Sequence, residues 1–201
     1  MQQIELELAG GGVLTVSLRA SLDAMPAVKQ RPLVLVVPGG GYNHVSPREG
    51  DPVALQFAAA GYHTAVLTYS VGEGAQNYRP LRQLNEALAL LRQNAGEWHI
   101  LPDKIAVCGF SAGGHLALSA AVLDIPGETA QQRPNAVILG YPVITAGEFA
   151  HRGSFVQLAG SEDAAAQQAF TLEDKVTSDT PPVFVLSLIH ISEPTRRRGI
   201  S

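Results

Sequence analysis

Cysteine occurs once, at Cys108, so no disulfide can form within the chain, which fits a reducing compartment. Its setting in KIAVCGF, an apolar strand pattern, reads as an inert core thiol rather than a nucleophile. Charge is sparse as well: 16% of the 201 residues are charged and the net charge is −4. There is no basic surplus to attract nucleic acid, and the basic run Arg196-Arg197-Arg198 lies at the extreme end. No apolar run approaches the roughly 20 residues needed to cross a bilayer, so no membrane partner is expected. The opening MQQIELELAGGG has neither a basic n-region nor an apolar h-region, and the expected location is cytoplasmic. No His, Cys and carboxylate cluster has metal-ligand spacing, so neither a metal nor a cofactor is expected. What remains is a 46% hydrophobic composition, enough for a globular domain with a sizeable core.

The apolar residues follow two periods. IELEL (4–8) and VLTVSL (13–18) alternate around Gly10-Gly11-Gly12, which predicts a hairpin with one covered face. PLVLVV (32–37), YHTAVLTY (62–69), KIAVCGF (104–110), NAVILGYPV (135–143) and PPVFV (181–185) read as strands of a buried sheet. Between them, PVALQFAAA (52–60) reads as a helix with Asp51 as its cap, Pro52 in its first turn and Gly61 closing it. Leu81, Leu84, Leu88 and Leu91 recur at helical spacing, and HLALSAAVL (115–123) reads as a further helix. Strands alternating with helices imply right-handed crossovers and a mainly parallel α/β sheet.

Two glycine-rich stretches follow buried strands. Gly109-Phe110-Ser111-Ala112-Gly113 matches G-x-S-x-G between a strand and a helix, where the pattern has a mechanical meaning. A sharp turn there strains Ser111, lifts its hydroxyl above the sheet and leaves no room for side chains at 109 or 113. Gly39-Gly40-Gly41 lets the backbone turn its N–H groups toward a ligand. Together with the N–H of Ala112, these would stabilise an acyl-transfer oxyanion, each donor by about 3 kcal/mol. A phosphate-binding loop is the competing reading, but the run lacks the Lys-Ser/Thr of a P-loop and the spacing of a dinucleotide fingerprint.

At these residues the chain resembles the α/β-hydrolase superfamily, and within it the esterases that include acetylxylan esterases and related bacterial carbohydrate esterases. The matching stretches are PLVLVVPGGGY, GDPVALQFAAAGYHTAVLTY, LPDKIAVCGFSAGGHLA, AVILGYPVI and VTSDTPPVFV. The resemblance implies a three-layer sandwich, Ser111 as nucleophile, and Gly40, Gly41 and Ala112 as the oxyanion hole. It also implies an ester substrate, either a small molecule or an oligosaccharide, and hydrolysis through an acyl-serine intermediate. Tyr42 and His44, which follow the glycine loop, are expected to line the pocket.

A nucleophilic serine needs a base, and that base needs a carboxylate. In the resembled family both follow the strand that matches PPVFV, so neither the acid nor the histidine of a triad is expected in this chain. His190 sits in LSLIHISEPTR, which resembles a translated sequencing adapter. Leu186–Ser201 is therefore expected to be non-native, with a catalytic domain over 1–185 that lacks its C-terminal strand and helices. His115 is expected to pack on its helix, while His63, His99 and His151 are assigned surface or packing roles. Two other readings stay open: a serine peptidase of the same fold, and a non-catalytic relative that binds a ligand.

Overall fold

The computed structural model describes residues 1–20, 29–129 and 131–187. Among these residues seven strands, numbered in chain order, form one sheet in the order β1-β2-β4-β3-β5-β6-β7. β1 (Gln2–Glu7) and β2 (Val13–Leu18) are the expected antiparallel hairpin, and β2 in turn pairs antiparallel with β4 (His63–Thr68). The rest of the sheet is parallel: β3 (Arg31–Val37) lies between β4 and β5 (Ile100–Phe110), followed by β6 (Ala136–Gly140) and β7 (Val183–Leu186). Helices cover both faces, and the architecture is the α/β-hydrolase sandwich.

The alternation of β3 explains the layers. Leu33, Leu35 and Val37 point into the larger core with the leucines of α2 (Arg79–Gln93) and with Leu116, Ala117 and Ala120 of α3 (Ala112–Val122). Val34 and Val36 point the other way and meet Cys108 and Ala54 of α1 (Asp51–Ala59). A strand buried on both faces has no polar side, which is why PLVLVV is continuous. Cys108 is the buried thiol anticipated, and burial pushes it up to about 12.

The elements differ from the sequence reading in detail. Gly50, not Asp51, caps α1: the N–H groups of Val53 and Ala54 both reach the Gly50 carbonyl, so Asp51 is already helical and caps nothing. α3 starts at Ala112, three residues earlier than expected, because the His115 N–H bonds the Ser111 carbonyl. Two helices had not been anticipated, α4 (Arg152–Ala159) and the short α5 (Ala164–Gln168), the latter capped by the Asp163 carboxylate on the Ala165 N–H. Leu186 belongs to β7, its carbonyl accepting from the Tyr141 N–H. His190 and the rest of the expected non-native segment beyond Ser187 lie outside the described residues.

Candidate active site

Strand register brings three loops to one edge of the sheet. Val37 pairs with Gly109 and Phe110 with Gly140, so the chain leaves β3, β5 and β6 at adjacent C-terminal ends, where parallel α/β sheets carry their ligands. After β3 comes the glycine loop, after β5 comes Ser111, and after β6 comes Tyr141.

Ser111 has φ 51° and ψ −119°, a conformation that costs an L-residue about 1–3 kcal/mol. Its surroundings hold it there: its N–H donates to Gly140 O (3.0 Å), and its carbonyl accepts from the N–H groups of His115 and Val143 (3.1 Å each). A Cβ at Gly113 would stand 2.1 Å from Val37 O, and one at Gly109 would stand 2.2 Å from Gly113 O. Only glycine fits either position, as the motif required. Ala112 opens α3 immediately after the serine, so its N–H is one of those at a helix start that have no partner within the helix.

In the glycine loop, Gly40 has φ 129° and Gly41 φ 65°. The Gly40 carbonyl accepts from the N–H groups of both Asn43 and His44, and Gly39 O accepts from Ser46 N. The loop thus folds back on itself. Among the described residues the N–H groups of Gly40 and Gly41 donate to no protein acceptor. Both glycines line a cleft of about 600 Å³ together with Ser111 and His44.

Tyr42 does not line that cleft. It is 1% exposed, and with φ 58° the backbone directs its ring into the core, where the hydroxyl meets His115 Nδ1 at 2.8 Å. His115 Nε2 lies 2.8 Å from Phe170 O. A carbonyl can only accept, so Nε2 carries the proton and Nδ1 accepts from Tyr42. Burial pushes His115 down to about 4, which leaves it neutral and structural. His63 is likewise buried, accepting from Arg19 N–H at Nδ1 and reaching His99 O with Nε2.

Glu49, Tyr141 and His151 are among the cleft residues that the sequence reading did not assign to the site. Glu49 Oε2 accepts the Gly39 N–H at 2.7 Å, and Oε1 accepts the Tyr141 hydroxyl at 2.8 Å. Burial, followed by this hydrogen bond and the charge of Glu49, pushes the Tyr141 phenol up to about 12. His151 had been given a surface or packing role, but its ring faces the cleft with Nδ1 2.9 Å from the hydroxyl of the buried Ser154. Among the described residues no hydrogen bond joins the Ser111 hydroxyl to a histidine. Among them also, no three His, Cys, Asp or Glu side chains gather as metal ligands, and no helix is long and apolar enough to cross a membrane.

The family model described as BD-FAE matches residues 23–152, a span that holds both glycine motifs. The chain belongs to the BD-FAE family. It is 34% identical over 172 residues to endo-1,4-beta-xylanase B of Butyrivibrio fibrisolvens, a match covering 78% of this chain and 26% of that protein. To the acetylxylan esterase of Xylanibacter ruminicola it is 31% identical, covering 77% of this chain and 32% of that one. The chain therefore spans about a quarter to a third of the curated relatives it matches. Among solved structures, the acetyl ester-xyloside bifunctional hydrolase of Caldicellulosiruptor lactoaceticus superimposes with a TM-score of 0.76 at 34% identity, over 87% of this chain and 65% of that one.

Proposed function

We propose that this BD-FAE chain carries the site of a serine carboxylic-ester hydrolase that removes acetyl groups from carbohydrates. The observation that carries the reading is Ser111, strained at φ 51° and sharing a cleft with the free N–H groups of Gly40 and Gly41. In this reading the Ser111 hydroxyl attacks the ester carbonyl. The carbonyl oxygen becomes an oxyanion, held by the N–H groups of Gly40, Gly41 and Ala112. The alcohol then leaves with a proton, and water hydrolyses the acyl-serine. The names of the acetylxylan esterase and the acetyl ester-xyloside hydrolase support an acetylated sugar as the substrate, and that of the xylanase supports a xylan-type sugar.

Attack needs a base, and among the described residues no histidine is hydrogen-bonded to the Ser111 hydroxyl. Without one, only the oxyanion hole and binding remain, and kcat should fall on the order of 10⁶ below that of a relative with a full triad. The test is acetate release from acetylated xylo-oligosaccharide and from 4-nitrophenyl acetate by residues 1–201, with Ser111→Ala as the control. Slow release that Ser111→Ala abolishes supports the reading, whereas turnover within tenfold of a full-triad relative sinks the expectation of a missing base. Cleavage of an aminoacyl amide in preference to esters would replace the esterase with a peptidase. The same missing hydrogen bond among the described residues favours a second reading, a non-catalytic relative. It would bind an acetylated sugar equally well with and without the Ser111 hydroxyl, and would release nothing.

A further inference from the structure

The Glu49 carboxylate ties together two loops that are far apart in sequence. It takes the N–H of Gly39, ten residues before it, and the hydroxyl of Tyr141, 92 residues after it. A Cβ on Gly39 would stand 2.8 Å from Glu49 Oε2 and 3.0 Å from Ser111 Cβ, so carboxylate and serine flank the same vacant side-chain position. Tyr141 follows Gly140, whose carbonyl holds the Ser111 N–H, and its ring packs on Phe110 at 5.7 Å between centroids. The path from glycine loop to serine is thereby closed on both sides.

The arrangement needs an explanation, because a bare carboxylate beside a developing oxyanion would oppose the reaction. Here both carboxylate oxygens are engaged by donors. We propose that Glu49 is the positioning residue of the glycine loop: by holding the Gly39 N–H and the Tyr141 hydroxyl together, it fixes the loop so that the Gly40 and Gly41 N–H groups stay free for the oxyanion. This rests on the reading of Ser111 as the nucleophile. Burial first, and then the hydrogen bond to Glu49, raise the Tyr141 phenol.

The test compares residues 1–201 with Glu49→Gln and Glu49→Ala. In Glu49→Ala the Gly39 amide should exchange about tenfold to a hundredfold faster, the loss of a hydrogen bond to a charged group, with the β3 amides unchanged. The Tyr141 phenol should ionise at lower pH, read by ultraviolet difference absorbance against Tyr141→Phe. Glutamine can accept from Gly39 and donate to Tyr141, so Glu49→Gln should restore Gly39 protection while the phenol still ionises earlier. If Glu49→Ala fails to fold, this variant decides alone. Where residues 1–201 release 4-nitrophenol from its acetate above the Ser111→Ala background, that release should fall in Glu49→Ala; where they do not, Gly39 exchange and Tyr141 ionisation decide. Unaltered Gly39 exchange, uniform loosening of β3 or an unchanged Ser111-dependent kcat would overturn the proposal. Release that persists in Ser111→Ala removes the esterase reading instead, and the Glu49 contact is then judged on Gly39 and Tyr141.

Discussion

Strands β3 and β7 are both short, apolar and parallel to their neighbours, but their surroundings are opposite. In β3, Leu33, Leu35, Val36 and Val37 are completely buried, whereas in β7 Phe184 is 63% exposed and Val185 52%. β3 has β4 and β5 at its sides, α1 on one face and α2 and α3 on the other. Among the described residues β7 pairs with β6 alone. An apolar sequence creates the demand for burial, and only neighbouring layers meet it. The bare strand is also the kind of edge to which other chains add.

The largest expected effect lies where β3 ends. Gly113→Ala drives a Cβ into Val37 O and Pro38 O, backbone that cannot step aside, and should destabilise the fold by about 4 kcal/mol or more, measured by chemical unfolding. Within β3, Leu35→Ala should lose about 2–5 kcal/mol. A loss under about 1 kcal/mol would break the contrast with β7.

The seal over β3 should also respond to acid through His115. Burial lowers it from 6.5 to about 4, so between those values the unfolded chain binds the extra proton. Stability is then full above the upper value and falls as the pH drops toward the lower one, by about 3 kcal/mol in total. Unfolding at a series of pH values should show this slope, and His115→Gln should reduce it to the part that His63, also lowered by burial, contributes. The smallest effect is expected at the open edge: Phe184→Thr should change stability by no more than about 0.5 kcal/mol, while reducing self-association in light scattering.

The parts legible in the sequence were those whose cause is local. Strand periodicity and Gly109, where a side chain would meet Gly113 O, follow from neighbours a few residues away, whereas Gly113 was legible through the motif although the atoms that exclude a side chain there, Val37 O and Pro38 O, lie at the end of another strand. Glu49 and Tyr141 carry no motif. Their meeting depends on β5 bringing Gly140 beside Phe110, a consequence of register. The available signal was positional, since Tyr141 directly follows a parallel strand at the end where ligands gather. Tyr42 was misread because adjacency to the glycine loop says nothing about which way a left-handed residue turns its ring. His151 reaches the cleft through α4, a helix whose weak periodicity left it unseen.

Cys108 has one more consequence. Its thiol sits in β5 against Val36 and beneath Ala54 of α1, and burial keeps it protonated. An alkylating reagent should therefore mark only molecules in which that layer has opened. The rate of labelling becomes a clock for α1 lifting from the sheet, read at one atom without any added probe. A second thiol placed on the surface would react alone, so the protein can carry a dye at a chosen position with its native cysteine left in place.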